Sequence, residues 1–457
     1  MALESDETRA AFERHARYVD PAFTRMLDLL GYGRLYVRAS GTKIWDAEGR
    51  AYTDFLAGCG SVPLGYNHPE LVAAAEASLR ASVPSFMQLA PQSAAGMLAE
   101  ALASRLGSDL SRAHFASSGS EAVDGALKLA FAATRRRAVL HCERSYHGVS
   151  LGVLPIMGAK RLRAPFPTLL ASESIPFGDA EALERKLRTE RFAAFVVEPI
   201  QFEGGVYVAP DGWLSVARAL CEKHGTVLVF DEAQTGMGRT GAFFAHQALG
   251  VVPDVVVYAK ALSGGLVPIA GYSTSPDWQR RAYGKIQDFE YVANTFGGGA
   301  LACAVALRTV QLIDETLLAH VRAMGEHLAA RLGAAVSRGA LRAARGKGLL
   351  WGVACTPPTR SAASVLTLGL PNLFSYRVFA YWIGVCMMER GFLTQIPTHD
   401  MSVLRIEPPL IVEKEEIDAF VDALDATLAE NEGFLRFARR VAGRFMERQI
   451  ERALARD

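Results

Sequence analysis

Two charged side chains stand where apolar runs of the sequence end. Asp231 ends the run in VLVFDEAQTGMGRTG, residues 227–241, and Lys260 ends the run in DVVVYAKALSGG. Because an unpaired carboxylate is costly to bury, Asp231 needs a cationic partner unless it serves as a turn or capping residue. Desolvation of Lys260 would favour its neutral amine, which can form a Schiff base with a carbonyl group. The alternative is a lysine that extends its ammonium group to solvent.

A third segment could bind a phosphate. In HFASSGSEAVDGALKLA, a predicted strand leads into a predicted helix, so Ser118, Gly119 and Ser120 would present hydroxyl and N–H groups at the helix N-terminus. The same residues are also an ordinary N-cap. The segment lacks the lysine of a P-loop and the GxGxxG pattern, which disfavours simple nucleotide motifs. Together, a phosphate site, a lysine and an aspartate suit pyridoxal 5′-phosphate, whose protonated ring nitrogen is a cation.

The elements that must position these residues form an α/β core. From about residue 113, short β-branched runs alternate with helical patterns. Helices are predicted at residues 120–133, 179–190 and 211–224. Ligands bind beyond the carboxyl ends of strands in such sheets, which is where Asp231 and Lys260 fall. The runs that are apolar on both faces, as in a mostly parallel sheet covered by helices, are RAVLHCE, FAAFVVEPI, GTVLVFDE, DVVVYAK and IAGYSTS.

Both ends of the chain are expected to build a smaller α+β lobe. TKIWDAEGRAYTDFLAG predicts a hairpin, and GLLWGVAC and VLRIEPPLIV predict strands near the C-terminus. FLRFARRVAGRFMERQIERALARD predicts a helix packed by one face, with an anionic partner for its basic face as the alternative. We expect residues 1–69 as the N-terminal part of the small lobe, 70–304 as the cofactor-binding large domain and 305–457 as the C-terminal small domain.

Composition disfavours several classes of partner. Lys and Arg number 49 against 48 Asp and Glu, a formal net charge of +1, so no overall field favours nucleic acid or an anionic membrane. The acidic N-terminus does not fit a signal or transit peptide, and no apolar stretch suits a bilayer span. Six scattered cysteines indicate reduced thiols rather than a disulfide framework or a zinc site. We expect a soluble cytoplasmic protein with no metal.

The motifs of this sequence, and their order along the chain, resemble those of the class III aminotransferases. This pyridoxal-phosphate family of fold type I includes ornithine, acetylornithine and diamine aminotransferases. The resemblance covers most of the chain and implies pyridoxal 5′-phosphate as cofactor. It rests on IWDAEGRAYTDFLAG, LGYNHPEL, ASSGSEAVDGALKLA, SYHG, VVEPIQFEGG, FDEAQTGMGRTG, AKALSGGLVPIAG, NTFGGG, RGKGLLWGV and LRIEPPL.

The resemblance implies a role for each cofactor-binding position. Lys260 is the Schiff-base lysine, and Asp231 keeps the ring nitrogen protonated so that the ring can accept electrons. Glu198 and Asp124 occupy acidic family positions, with a structural salt bridge as the alternative. A homodimer with shared active sites is implied by the match at residue 295. The other matches are Gln234 for the ring hydroxyl, Tyr146 for the ring face, Ser118, Gly119 and Ser120 for the phosphate, and Thr295 for the phosphate held by the neighbouring subunit.

Two further matches concern the substrate. Arg405 matches an arginine that binds a substrate carboxylate with its planar donor fork, with an ion pair to Glu407 or Glu413 as the alternative. Glu203 matches a gate glutamate that pairs with this arginine when the amine donor lacks a carboxylate there. Phe202 replaces the glycine of many members and adds bulk beside Glu203.

The expected reaction moves an amino group from, or to, a terminal amine of a diamine, an ω-amino acid or a larger amine or aldehyde. Glutamate with 2-oxoglutarate, or alanine with pyruvate, is the other pair of a ping-pong mechanism. The aromatic segment TLGLPNLFSYRVFAYWIGVCMMERGF either lines a larger pocket or packs between lobes. An aminomutase or a decarboxylating transaminase of the same fold is the alternative reaction, whereas a nucleotide-binding α/β enzyme would not need Lys260.

Overall fold

The computed structural model describes residues 5–86, 89–107, 109–355, 376–432, 439–440 and 443. Most of the predicted basic C-terminal helix and the first nine residues of the aromatic segment, 367–375, therefore lie outside the described residues. No helix within the described ranges is long and apolar enough to cross a membrane.

The secondary structure of the described residues is as follows. The strands β1 to β16 are Tyr36–Ser40, Lys43–Asp46, Ala51–Asp54, Arg112–Ala116, Ala138–Cys142, Ala171–Ile175, Phe192–Val197, Ile200–Gln201, Tyr207–Val208, Val227–Asp231, Val255–Tyr258, Ala270–Thr274, Leu341–Lys347, Leu350–Cys355, Phe392–Leu393 and Val403–Ile406. The helices α1 to α15 are Asp6–Tyr18, Pro21–Leu30, Ala57–Gly60, Pro69–Arg80, Ser93–Leu106, Gly119–Thr134, Lys160–Arg163, Ala180–Leu187, Trp213–Lys223, Ala245–Leu249, Pro276–Ala282, Ala300–Leu312, Glu315–Ser337, Tyr376–Glu389 and Lys414–Glu430. Three 3₁₀ helices span Leu154–Ile156, Lys260–Ser263 and Ile286–Val292.

The large sheet has the order β4-β12-β11-β10-β7-β5-β6. β10 is parallel to β11 and β7, and β5 is parallel to β6 and β7. Every residue of β7, β10, β11 and β12 is buried, which explains why these strands are apolar on both faces. The expectation that the run IAGYSTS joins the parallel pairing is wrong, because β12 is antiparallel to both β11 and β4. The sheet is thus mostly parallel with one reversed strand.

The side chains of β10 alternate between two helical layers. Val227 and Val229 pack in the cluster that contains α6, whereas Leu228 and Phe230 pack with α8 and α9. Because successive side chains of a strand point to opposite faces, Asp231 lies on the same face of the sheet as α6. The predicted helices correspond to α6, α8 and α9, with ends that differ by a few residues.

A small sheet joins the two ends of the chain. β2 and β3 form the predicted antiparallel hairpin, and Thr53 of β3 pairs in parallel with Phe392 of β15. The antiparallel sheet β13-β14-β16 completes the small lobe and carries Arg405. This lobe therefore contains both terminal parts of the chain, as predicted. The boundaries at residues 69/70 and 304/305 stay a prediction.

Aromatic side chains form the core of the small lobe. Phe55 and Phe420 stack with ring centroids 4.0 Å apart, and Phe392 packs edge-on against both. Phe379 and Ile383 of α14 belong to the same buried core. The described part of the aromatic segment thus contributes to packing, which favours that interpretation over a pocket lining.

Phe420→Ala should test this core. Phe420 is completely buried, so we expect the free energy of unfolding to fall by about 3–5 kcal/mol, the range for truncating a buried phenylalanine. Urea unfolding followed by circular dichroism measures the loss. Val216→Ala on α9, where the side chain is 42% exposed, is the control and should cost no more than about 0.5 kcal/mol. Equal losses in the two variants would contradict the proposed core.

Candidate active site

Three strands of the large sheet lead into one cavity. β10 ends at Asp231, Lys260 lies two residues after β11, and β4 leads through Ser117 into α6. Since β10 and β11 are parallel neighbours, the carboxylate and the amine lie at the same edge of the sheet. The cavity has a volume of about 420 Å³, and its lining includes Ser117, Ser118, Gly119, Ser120, Tyr146, His147, Asp231 and Lys260.

The buried carboxylate of Asp231 already has two partners. Its Oδ2 accepts a hydrogen bond from Nδ1 of His147 at 2.8 Å, and its Oδ1 accepts one from the N–H of Ala233 at 3.1 Å. Burial alone would lower the pKa of His147, but the hydrogen bond to Asp231 and its charge raise this pKa above the ordinary value. His147 therefore supplies part of the counter-charge, and a cationic ring nitrogen in the cavity would complete it.

A second buried carboxyl group follows β7. Oε1 of Glu198 accepts a hydrogen bond from the N–H of Tyr146 at 2.9 Å. Burial raises the pKa of Glu198 to about 8, although the positive charge of His147 opposes the shift. Glu198 is therefore mostly protonated at neutral pH and adds no second negative charge beside Asp231. It does not form the salt bridge that the sequence left as an alternative.

Lys260 begins a contact chain that leads away from the cavity. Its backbone has φ +44°, in the left-handed region that residues other than glycine rarely adopt. Its Nζ donates a hydrogen bond to Oε1 of Gln234 at 2.5 Å, and Nε2 of Gln234 donates to Oε1 of Glu407. Glu407 is completely buried, and burial raises its pKa to about 7. The amine, the amide and the acid thus form one hydrogen-bonded series.

The turn before α6 has the geometry of an anion site. Oγ of Ser118 accepts a hydrogen bond from the N–H of Glu121 at 3.3 Å, and the Glu121 carboxylate accepts one from the N–H of Ser117 at 2.8 Å. This reciprocal capping fixes the start of the helix. The N–H groups of Gly119 and Ser120 lie in the first turn, where they have no acceptor within the helix and can bind an anion.

A close loop contact shapes the same end of the cavity. Gly148 has φ +114°, and a Cβ there would lie 2.0 Å from Oγ of Ser120, so the contact requires glycine. The cavity thus has N–H and hydroxyl donors at one end, Asp231 in its wall for a cationic ring nitrogen, and Lys260 for an aldehyde. These groups match the phosphate, ring and aldehyde of pyridoxal 5′-phosphate.

Arg405 is held from two sides. Its Nη1 donates to Oε1 of Glu203 at 2.8 Å, while its Nη2 donates to Oε1 of Gln395 at 2.7 Å and lies 3.1 Å from Sγ of Cys59. The ring centroid of Phe202 is 5.3 Å from Cζ of Arg405, within the range of a cation–π contact. Arg405 is therefore placed by several groups and not by the carboxylate alone.

Glu203 is fixed by the loop before β16. Its Oε2 accepts a hydrogen bond from the N–H of Thr398 at 2.7 Å, and its carbonyl accepts one from the N–H of His399 at 3.0 Å. Burial alone would raise the pKa of Glu203, but Arg405 and the Thr398 hydrogen bonds hold this pKa below its ordinary value. Glu203 is thus an anion that neutralises Arg405. Arg405 pairs with Glu203 and not with Glu407 or Glu413, the alternative partners considered from the sequence.

Seven positions named from the sequence are not among the residues that line the cavity. They are Glu198, Glu203, Gln234 and Arg405, whose contacts are given above, and Phe202, Thr295 and Asp124. Phe202 is 1% exposed and packs in a small apolar cluster as well as against Arg405. Thr295 lies on the surface of the chain. Asp124 forms an ion pair with Lys128 on the next turn of α6, at 3.5 Å, as the structural alternative predicts.

Comparison with protein families gives one match over most of the chain: residues 31–428 match the family described as aminotransferase class-III. The chain belongs to the class III aminotransferases. It is therefore a fold type I transferase that depends on pyridoxal phosphate and transfers amino groups.

Several relatives of this aminotransferase are known by name. Aminotransferase PigE of Serratia sp. (strain ATCC 39006) is 33% identical over 93% of this chain, which spans about half, 54%, of that relative's length. Acetylornithine aminotransferase of Methanosarcina mazei is 35% identical over 91% of this chain and 95% of its own. The crystal structure of ornithine aminotransferase from Toxoplasma gondii ME49 has 27% identity and a TM-score of 0.80, over 93% of this chain and 96% of that one.

Three residues that contact the site were not predicted from the sequence to position its functional groups. His147 follows Tyr146 directly in the SYHG motif, but sequence alone did not place it against Asp231. Glu407, considered only as an alternative ion-pair partner of Arg405, is two residues after it on an extended segment, a spacing that puts both side chains on one face. Gln395 has no local signal, since it meets Arg405, ten residues further along the chain, only through an isolated bridge between two extended segments.

Glu232, which follows Asp231, serves the loop after the strand. Its Oε1 accepts hydrogen bonds from the N–H and Nδ1 of His246, at 2.9 and 2.7 Å, and its Oε2 accepts one from the N–H of Ala245 at 2.6 Å. A buried carboxylate is stable here because each oxygen is hydrogen-bonded. Glu232 therefore holds the segment that carries Gln234 and is not a lining residue of the cavity.

Above about pH 6.5, stability of the aminotransferase should fall as the pH rises to 8. The pKa values of Glu198 and Glu407 are higher in the folded chain than their ordinary value of 4.5, so each acid releases its proton in this range only in the folded chain. His147, whose pKa is also raised, acts in the same direction above about pH 6.5. Below about pH 6.5, histidines such as His114 and His141, whose pKa values burial lowers, act in the opposite direction.

Glu198→Gln should make this pH dependence shallower, because it removes one titration and keeps the acceptor for the Tyr146 N–H. Between pH 5 and pH 8, we expect the wild type to lose at least ~1.4 kcal/mol more stability than the variant, the equivalent of one pKa unit. Urea unfolding of the apoenzyme at both pH values measures the difference. Identical pH dependences would show that Glu198 is ionised in the folded chain.

Proposed function

We propose that this aminotransferase acts on the terminal amine of a diamine, an ω-amino acid or a larger amine, or on the corresponding aldehyde. Glutamate with 2-oxoglutarate, or alanine with pyruvate, forms the other pair. The observation that carries the proposal is the pairing of Arg405 with Glu203 at 2.8 Å. Acetylornithine and ornithine, for which two relatives are named, both carry an amine at the end of a carbon chain, which supports this substrate class.

The Arg405–Glu203 pair lets one site accept two kinds of substrate. With the pair closed, the charge of Arg405 is balanced, so an amine donor without a carboxylate meets no exposed cation. With Glu203 displaced, Arg405 offers its planar donor fork to the carboxylate of an oxo-acid. Gln395 binds Nη2 and Glu203 binds Nη1, so Gln395 keeps Arg405 in place while Glu203 moves.

Each cofactor-binding residue has a task in this proposal. The cofactor, when bound, supplies an electron sink for proton removal next to the transferred nitrogen. Lys260 holds it covalently and, once displaced, moves the proton of the donor carbon at Nζ. Asp231 keeps the ring nitrogen protonated, Tyr146 packs on the ring face, Gln234 contacts the ring hydroxyl, and the turn of Ser118, Gly119 and Ser120 binds the phosphate.

The proposal includes a homodimer in the cytoplasm. From its position on the surface of one subunit, Thr295 would reach the phosphate that is bound by the neighbouring subunit. The rings of Phe86 and Phe296 are in contact nearby, at 5.2 Å, and are 44% and 63% exposed, an apolar patch of the kind that subunit interfaces bury. All six cysteines are free thiols, which suits a reducing compartment. The domain boundaries at 69/70 and 304/305 belong to the same proposal.

A panel of amines tests the reaction. Diamines, ω-amino acids and long-chain amines are supplied singly to the holoenzyme, and the cofactor spectrum reports each half-reaction before 2-oxoglutarate or pyruvate is added. Conversion by terminal amines and recovery by an oxo-acid would support a ping-pong transfer, and failure of every amine would contradict it. Products separate the two alternatives, since a mutase needs no oxo-acid and a decarboxylating enzyme releases carbon dioxide.

Lys260→Ala should abolish covalent attachment of the cofactor and lower turnover by at least about 100-fold, the smallest usual contribution of a positioned acid–base group. Borohydride treatment followed by mass spectrometry reports attachment, and steady-state kinetics report turnover. Lys128→Ala, which removes an exposed lysine of α6, is the matched control and should leave both unchanged. Normal turnover in Lys260→Ala would refute the assignment.

Substitutions of Arg405 and Glu203, the two residues of the proposed gate, should affect different half-reactions. Arg405→Lys keeps the charge beside Glu203 but loses the donor fork, so KM for 2-oxoglutarate should rise about 10-fold while the amine half-reaction changes little. Glu203→Gln leaves Arg405 without a balancing charge, so kcat/KM should fall mainly for donors that lack a carboxylate. Equal losses in both half-reactions, in either variant, would argue against a gate.

A further inference from the structure

We propose that Glu407 is a positioning residue for amino-group transfer. It holds the side-chain amide of Gln234 so that the amide oxygen is directed at Lys260. The inference rests on the proposed function, because it assigns a task to the residue behind Gln234 in the same site. Glu407 is not among the residues that line the cavity, so it would act through Gln234 and not on a substrate.

The donor and acceptor chemistry of the three groups fixes the orientation of the amide. The Lys260 ammonium group can only donate, and an ionised Glu407 carboxylate can only accept. Gln234, which lies between them, must therefore present its oxygen to Lys260 and its nitrogen to Glu407, as the hydrogen bonds show. Without Glu407, the amide could rotate and place its NH₂ donors against the amine.

The backbone around Glu407 is built for this contact. The N–H of Glu407 donates to the carbonyl of Phe55 at 2.8 Å, which fixes the acid next to the segment that carries Gly60. Gly60 has φ +83°, and a Cβ there would lie 2.3 Å from Oε1 of Glu407 and 2.5 Å from Nε2 of Gln234. Only glycine fits this position without displacing one of the two groups.

Among the described residues, the carboxylate of Glu407 has one hydrogen bond, which comes from Gln234. Oε1 of Glu407 is engaged by Gln234, and Oε2 is buried with no hydrogen-bond partner within the described residues. The charges of Arg239, Arg405 and Lys260 favour the carboxylate form, whereas burial and Glu203 oppose it. Burying an acid with only one hydrogen-bonded oxygen costs free energy. The one hydrogen bond that the Glu407 carboxylate does form is to Gln234, the residue that binds Lys260.

The test compares substitutions of Glu407 that keep or remove the acceptor. Glu407→Met has similar length but no acceptor, Glu407→Asp withdraws the carboxylate by one methylene, and Glu407→Gln keeps an acceptor oxygen at the same reach. We expect Met and Asp to lower kcat about 10- to 100-fold, the effect of losing a hydrogen bond to a charged group, with KM little changed. Gln should restore most of the activity.

A second measurement does not depend on turnover. Pyridoxal phosphate is added to each apoenzyme, and the rate of attachment to Lys260 is followed by borohydride trapping and mass spectrometry. This rate should fall in Glu407→Met and Glu407→Asp and recover in Glu407→Gln. Asp254→Asn is the control, because Asp254 is a partly buried, hydrogen-bonded acid at the opposite end of β11 and should affect stability alone.

A double-substitution cycle separates positioning from a general loss of stability. In Gln234→Met, the further change Glu407→Met should not lower kcat or the attachment rate again, because the residue through which it acts is gone. Independent, multiplicative losses would overturn the inference, as would an unchanged attachment rate in both Glu407→Met and Glu407→Asp. If Lys260→Ala still fails to attach the cofactor, those results would overturn only the role of Glu407 and leave the proposed function intact. Inactivity of the wild type towards every amine would instead refute the proposed function itself.

Discussion

A negative charge buried at the carboxyl end of β10 is the constraint on which the site depends. Burial of Asp231 is tolerable only with compensating charge and hydrogen bonds, and His147 and the Ala233 N–H supply the permanent part of that compensation. Burial keeps Glu198 protonated, so no second anion competes for the same counter-charge. A protonated ring nitrogen of the cofactor would supply further counter-charge, which links the electrostatics of this site to the proposed cofactor contact.

Arg405 and Lys260 are each accompanied by one carboxylate and one amide, but the two sets of contacts are arranged differently. Around Arg405, the Glu203 carboxylate balances the cation directly, while Gln395 accepts a hydrogen bond from the other guanidinium nitrogen. Around Lys260, an amide separates the amine from a buried acid, so the two charged groups are not in direct contact. Under the proposed function, the first arrangement would exchange one carboxylate for another, whereas the second would restrict the orientation of one amide.

The sequence predicts most of the fold and the centre of the site, because these depend on local patterns. Apolar runs locate the buried strands, and Asp231 and Lys260 are conspicuous as charges at their ends. The direction of β12 was not predictable, since a fully buried strand is apolar on both faces in either orientation. The role of Glu407 was missed because it contacts Gln234, which is far away in the chain. Gln395 was missed because only the pairing of its segment with β16 brings it to Arg405. The role proposed for Thr295 needs a second subunit and stays a prediction, because it depends on a contact that the fold of one chain does not contain.

The parallel pairing of β3 with β15 has a consequence for how the chain is made. Thr53 and Asp54 find their partners in Phe392 and Leu393, so a nascent chain cannot complete this sheet until almost all of it has left the ribosome. The large sheet, whose strands lie between residues 112 and 274, can form earlier. Until then, the open edge of β3 and the ring of Phe55 lack their native cover and are available for non-native association during synthesis.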